Sequence, residues 1–306
     1  MHFLTGNENR EAWRLLPRYR KILDGKEKAR FLTARENGIL DKRIKQARRM
    51  LEHCEFCQRR CGVNRKRGEK GFCGVPDGFR IFGAHVHHGE EGVLVPSGTL
   101  FLAGCPMRCV YCQNAPASVT PEMGESWSER DVADWIERVS GECRNVNFVT
   151  PDCYVKNIME ALRLVEKNIP VVWNSSAYYS EKTAMMIKDI VDIYLLDFRY
   201  FSERCGRELS STPNYPEAAK KNHLLAKRHG ELIIRVLVMP GHIECDAKPI
   251  LKWIADNLGS RVYVNILAQY HPCYRAWEYP KINRPLDIEE YREVVGYANK
   301  IGLSVF

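Results

Sequence analysis

The sequence predicts an α/β fold: a partial (β/α)6 TIM-like barrel of parallel strands, carrying an N-terminal helical and Cys-rich metal-binding extension. Three observations carry this. From residue 99 onward, six short apolar runs alternate with six amphipathic stretches. Near-continuous apolar strands of that kind belong to parallel sheets covered by helices. Six units fall short of a full eight-fold barrel. Before residue 99 the pattern differs, first helical and then rich in Cys and Gly.

Taken in order, residues 8–53 place Trp13, Leu16, Ile22 and Leu23, then Ile39, Ile44, Ala47 and Leu51, at near-helical spacing. Gly25 and Gly38 are the expected breaks. A Cys- and Gly-rich segment runs from Cys54 to Gly78. The expected strands are Thr99–Ala103, Asn145–Thr150, Pro170–Ser175, Asp192–Phe198, Glu231–Met239 and Arg261–Ala268. The expected helices between and after them are Glu129–Val139, Lys156–Lys167, Glu181–Ile190, Glu217–Arg228, Lys248–Asn257 and Ile288–Ile301, with Ser128 and Ser180 as N-caps. The expected organisation is a basic helical region over 1–53, a Cys-rich metal-binding segment over 54–98 and a barrel over 99–306.

Composition sets further bounds. At 45% hydrophobic residues the chain can bury a sizeable core. No stretch approaches the roughly 18 apolar residues that cross a bilayer, and no apolar leader opens the chain. Twelve cysteines without an export signal point to a reducing, cytoplasmic setting and to metal ligation rather than disulfides. The net charge of +8 is unevenly spread: residues 10–70 hold 20 Lys or Arg against 8 Asp or Glu. That excess is either a set of solvated helix faces or a docking face for an acidic partner or nucleic acid.

Cys105, Cys109 and Cys112 fall within eight residues on the loop after the first barrel strand. Thiolates are soft ligands that suit iron–sulfur clusters or zinc. Three cysteines on a four-iron cubane leave one iron open, whereas structural zinc takes four closed ligands. A zinc knuckle short of a ligand, or three unrelated core cysteines, are the competing readings. Cys54, Cys57, Cys61 and Cys73 supply a second set with a C-x2-C start, which satisfies either structural zinc or a closed [4Fe-4S] cluster, and an auxiliary cluster is the favoured reading. Cys143, Cys153, Cys205, Cys245 and Cys273 are scattered and are expected to be small buried hydrophobes. Every barrel strand also ends in polar residues: Thr150-Pro151-Asp152, Asn174-Ser175-Ser176, Asp197-Phe198-Arg199, Pro240-Gly241-His242 and Gln269-Tyr270-His271, with Arg235 on the fifth strand. In barrels that rim carries the site.

The C-x3-C-x-aromatic-C run, with Tyr111 before the third cysteine, resembles the radical S-adenosylmethionine (SAM) enzymes. Gly89 through Asn114, Asn147 to Pro151, Asp192 to Asp197, Arg235 to Gly241, Gln269-Tyr270 and the segment Cys54 to Cys73 are similar to the pyruvate formate-lyase activating enzyme-like proteins, specifically the PflX type. The resemblance implies that Cys105, Cys109 and Cys112 hold a [4Fe-4S] cluster whose open iron binds SAM, which is cleaved to a 5′-deoxyadenosyl radical that abstracts hydrogen. It implies adenine contact around Tyr111 and Asn114, and nucleoside contact from Tyr270 and His271. Asn174, Ser175, Asp197 and Arg235 would hold the ribose or the carboxylate. Much of the superfamily accepts the SAM amino group on a Gly-Gly-Glu segment, and here Thr150 and Asp152 stand in that place. The substrate is open: a partner protein receiving a glycyl radical, RNA, another protein, or a small molecule to be modified. The electron donor is expected to be flavodoxin- or ferredoxin-like. A non-catalytic iron–sulfur carrier is the alternative of a different class, and an open iron argues against it.

Overall fold

The computed structural model describes residues 6–89 and 91–306. Four helices lead: α1 (Gly6–Leu15), α2 (Pro17–Leu23), α3 (Arg30–Glu36) and α4 (Ile39–Met50). Gly25 and Gly38 break them with positive φ, as the sequence predicts. Then come β1 (Phe79–His87), β2 (Ser97–Leu102), β3 (Glu125–Trp127), α5 (Glu129–Val139), β4 (Val146–Val149), α6 (Val155–Leu164), β5 (Val171–Ser175) and α7 (Glu181–Ile187). The chain closes with β6 (Ile193–Asp197), α8 (Glu203–Ser210), α9 (Tyr215–His229), β7 (Glu231–Leu237), α10 (Lys248–Leu258), β8 (Tyr263–Leu267) and α11 (Ile288–Lys300). The Ser128 and Ser180 side chains cap α5 and α7 by accepting from Asp131 and Thr183 N–H.

One open sheet runs in the order β3-β1-β2-β4-β5-β6-β7-β8. Its six strands from β2 to β8, β3 apart, pair in parallel, matching the six expected units. The sequence pattern missed three elements. β1 lies inside the segment expected to be Cys-rich and pairs antiparallel with β2 and β3. Being half-exposed near the sheet edge, it lacks a continuous apolar run. The three-residue β3 offers no pattern at all. α8 is eight residues long and polar apart from Cys205 and Leu209, too short and too poor in apolar residues to stand out in the sequence.

The interior face of the sheet has two layers. Near the strand N-termini, Val172, Ile193, Leu195, Ile233 and Tyr263 form a buried apolar cluster with Ala12, Leu16 and Tyr19 of the first two helices. α1 and α2 therefore plug the bottom of the barrel. The Glu231 carboxylate accepts from the backbone N–H groups of Arg18 (2.6 Å) and Tyr19 (2.8 Å), where the α2 dipole favours an anion. Arg18 also pairs with buried Asp192. Farther along, Arg35 meets Glu166 at 2.9 Å, Arg43 meets Asp189 at 2.7 Å and Arg48 meets Glu160 at 2.5 Å. Part of the basic excess of the N-terminal region is thus spent within the chain, fastening it to acidic residues of the barrel.

Candidate active site

The loop from Gly104 to Asn114 leaves β2 at its C-terminal end and is held from three sides. The end of α8 supplies acceptors: Ser210 O for Arg108 N–H (3.0 Å) and Leu209 O for Val110 N–H (2.9 Å). The segment after β8 donates Arg275 N–H to Val110 O (2.8 Å) and the Cys273 thiol to Tyr111 O (3.1 Å). From the Cys-rich segment, Arg59 donates to Pro106 O at 2.9 Å, and Arg59 and Arg108 both stack on the Phe72 ring, 3.6 and 4.4 Å from its centroid.

Gly104 starts this loop at φ +77°, and a Cβ there would lie 2.5 Å from Val75 Cγ2 and 2.8 Å from Cys73 O. The sparse conformation and the overlap act together. Gly104→Ala is expected to destabilise the protein by about 2–4 kcal/mol. Chemical denaturation checks this, and an unchanged midpoint would refute it.

Each of the three loop thiols has a hydrogen-bonding neighbour. Cys105 Sγ accepts from Met107 N–H (3.4 Å), Cys109 Sγ from the Ser210 hydroxyl (2.9 Å), and Cys112 Sγ sits 3.2 Å from Ser118 Oγ. The Ser210 hydroxyl is 2.6 Å from Tyr200 Oη, itself 2.6 Å from Tyr111 Oη, so one chain links the aromatic of the motif to the Cys109 sulfur. Burial pushes the Cys105 thiol well up and raises that of Cys109, the latter opposed by Arg199. Bare thiolates are therefore disfavoured here, while metal cations would make them favourable. Sulfur donors, their hydrogen bonds and their burial fit an iron–sulfur cluster.

A cavity opens beside this loop at the strand ends. It is lined by Tyr111, Cys112, Asn114, Asn174, Asp197, Arg235, Tyr270 and His271 among the residues expected from the sequence. Asp197 anchors its polar wall, accepting from Arg235 Nε at 2.7 Å and from Arg199 at 2.5 Å, while Arg235 Nη2 donates to Asn174 Oδ1 at 2.7 Å. Burial alone would raise the Asp197 pKa, but the guanidiniums of Arg235 and Arg199 hold it below the usual carboxylate range. Tyr111 and Tyr270, also lining the cavity, meet edge to face at 5.9 Å.

Arg199 and Gln269 of the expected strand ends also line the cavity, as do Asn147, Thr99, Gln113 and His87, which the sequence does not single out as site residues. Two-residue alternation along β2 and β4 is the signal that places Thr99 and Asn147 on the interior face. The Asn147 Oδ1 is buried without a hydrogen-bond partner, an acceptor that a cationic ligand group would satisfy.

Thr150, Asp152 and Ser175 do not line the cavity. Thr150 takes a left-handed turn, its N–H donating to Asn174 O. Asp152 is buried beneath and accepts from Trp173 Nε1 (3.2 Å) and the Ser175 hydroxyl (2.9 Å), so these two expected contacts are used on each other. Burial lifts the Asp152 pKa to about 7 despite both bonds. With the folded pKa above the unfolded one, its cost is absent below about pH 4, grows up to pH 7 and is constant above. Asp152→Asn is expected to gain stability relative to wild type across that window, by up to about 4 kcal/mol. Parallel denaturation curves at pH 5 and 8 measure it; a pH-independent difference would contradict it.

In the second cysteine set, Cys54, Cys57 and Cys73 are buried and Cys61 is exposed. Residues 56–58 lie antiparallel to 178–180 after β5, with Gln58 N–H donating to Tyr178 O and Ser180 N–H to Phe56 O. Hydrogen bonding to Cys54 lowers the Cys61 thiol to about 6, and hydrogen bonding to Cys153 does the same for Cys73. Cys153, expected to be an isolated hydrophobe, is thus a neighbour of this set. The guanidinium of Arg65, 2% exposed, lies among Cys54, Cys73 and Cys153 and donates to Cys153 O (2.8 Å). Its Nη2 donates to Pro76 O at 2.5 Å, and among the described residues no carboxylate pairs with it.

Residues 99–254 match the family profile described as the radical SAM superfamily. The chain belongs to this superfamily, whose members are enzymes that use SAM with an iron–sulfur cluster. It is 39% identical over 276 residues to an uncharacterized protein of Methanocaldococcus jannaschii, MJ0674, covering 88% of this chain and 80% of that one. Among solved structures it is similar to SuiB of Streptococcus suis bound to S-adenosylmethionine, at 13% identity and TM-score 0.47, over 66% of this chain and 47% of SuiB. It is also similar to methylornithine synthase (PylB), at 11% identity and TM-score 0.45, over 94% of this chain and 77% of PylB. Among the described residues no helix is long and apolar enough to cross a membrane.

Proposed function

We propose that this chain is an activase-like radical SAM enzyme of the pyruvate formate-lyase activating enzyme-like branch, acting by hydrogen abstraction on a partner protein. The carrying observation is the cavity that Tyr111 and Cys112 of the cluster loop line together with Asn174, Asp197, Arg199 and Arg235. Cys105, Cys109 and Cys112 would hold the [4Fe-4S] cluster. When bound, cluster and SAM supply one-electron cleavage and the radical. The chain's own residues bind and orient. Arg235, held by Asp197 and Asn174, brings positive charge to the cavity that suits a carboxylate, and the Asn147 acceptor suits an ammonium. Tyr111 and Tyr270 offer apolar faces to a nucleoside and help exclude water.

The auxiliary site we assign to Cys54, Cys57, Cys61 and Cys73, as a second [4Fe-4S] cluster, because buried Arg65 needs anionic sulfur beside it. An acidic flavodoxin- or ferredoxin-like donor suits the surface around exposed Cys61, where residues 59–70 carry six Lys or Arg against one Glu. All twelve cysteines are free, in keeping with a reducing cytoplasm. A protein substrate is favoured by Tyr274 and Trp277, exposed aromatics on the segment that clasps the cluster loop.

The test starts from anaerobically reconstituted protein with reductant and SAM, followed by 5′-deoxyadenosine. No cleavage would leave the non-catalytic carrier standing. To find the substrate class, an extract from cells grown in heavy water is split into protein, RNA and small-molecule pools. Deuterium entering 5′-deoxyadenosine from the protein pool supports the proposal. Transfer from RNA or small molecules alone overturns it.

A further inference from the structure

Where α8 meets the turn after β7, Cys205, His242, Cys245 and Asp246 converge. Their ligand atoms all lie within 4.8 Å of one another, and no other group of His, Cys, Asp or Glu does so among the described residues. Cys205 lies on α8, and the other three on the turn Ile243–Ala247 and the residue before it, which follow β7. The sequence reading had placed Cys205 and Cys245 among the scattered hydrophobes and His242 only at a strand end.

The spacing is that of a coordination shell. Bonds near 2.3 Å to sulfur and near 2.0–2.1 Å to nitrogen and oxygen give a tetrahedron edges of about 3.8 Å for S···S, about 3.5 Å for S···N and S···O, and about 3.3 Å for N···O. Here Cys205 Sγ to Cys245 Sγ is 3.8 Å, Cys245 Sγ to His242 Nδ1 is 3.5 Å, Cys245 Sγ to Asp246 Oδ2 is 3.5 Å, and His242 Nδ1 to Asp246 Oδ2 is 3.1 Å. The outer support is also present. Asp246 Oδ1 accepts from Phe201 N–H (2.8 Å) and Ser202 N–H (2.9 Å), which aims the free oxygen at the other three ligands.

We propose that Cys205, His242, Cys245 and Asp246 form a closed structural zinc site. Two thiolates with imidazole and carboxylate suit zinc, and four protein ligands leave no open position for catalysis. Its effect is mechanical. Zinc ties α8 to the turn after β7, and the far end of α8 presents Ser210, whose hydroxyl donates to Cys109 Sγ and whose carbonyl accepts from Arg108 N–H. The ion thus steadies the helix that positions the cluster loop.

Zinc is quantified by mass spectrometry in anaerobically purified wild type and in a Cys205→Ser/Cys245→Ser variant, both keeping Cys54, Cys57, Cys61 and Cys73. One equivalent fewer in the variant is the expected result. Equal zinc in the two proteins, or a Cys205–Cys245 disulfide detected as two cysteines that take up alkyl groups only after reduction, would overturn the assignment. Should the double variant not fold, cobalt(II) is exchanged into wild type and His242→Gln. A difference spectrum with d–d bands of a tetrahedral thiolate site supports the proposal, and superimposable spectra refute it.

Discussion

Cys109→Ala is expected to abolish reductive SAM cleavage. The residue is 8% exposed, and its sulfur ends the hydrogen-bond chain Tyr111–Tyr200–Ser210. Alanine leaves two thiols on a loop whose burial already resists thiolate formation, so a cubane retains too few ligands. Loss of even an outer partner of a metal ligand costs about 10–100-fold, so loss of the ligand itself should exceed about 100-fold in 5′-deoxyadenosine formation, with iron falling in parallel. The residue packs against the core, so circular dichroism is needed to show that the barrel persists. Full cleavage by a folded variant would remove the cluster assignment.

The second large effect is expected at Asp197. This carboxylate is 8% exposed and answers two guanidiniums, Arg235 and Arg199. Asp197→Asn keeps the shape and removes the charge, leaving two cations facing each other across one amide. Removing one partner of a buried pair typically costs 3–5 kcal/mol, and the open cavity admits water to Arg199, so about 3 kcal/mol is expected here. The Arg235 fork would also lose the contact that fixes its aim, and SAM affinity should fall with it. Calorimetric unfolding and SAM titration check the two consequences separately. If both stay at wild-type values, the network is not what organises this wall.

Much of the architecture was legible because parallel strands buried on both faces announce themselves as apolar runs. All six parallel strands were found that way, and α5 began and ended where its Ser128 cap and apolar period placed it. β1 and α8 were not legible, since a half-exposed strand carries no continuous apolar run and an eight-residue helix with two buried apolar residues is too short to stand out. At the site, the cysteine spacing named the cluster loop, and strand ends named the polar wall. The inward set of Asp152 and Ser175 was not separable from the cavity set, because sequence position gives the rim of a barrel and not the depth of a side chain.

The sequence by itself determined the chemistry: local spacing decides which thiols can share a point, and Cys105, Cys109 and Cys112 are close in the chain. Tertiary structure decided everything that depends on residues far apart. It brought Arg235 onto Asp197, Arg65 among Cys54, Cys73 and Cys153, and Cys205 within 3.8 Å of Cys245 across 40 positions. Such contacts leave no periodic mark on a chain, because they follow from how strands and helices stack and not from the order of their residues.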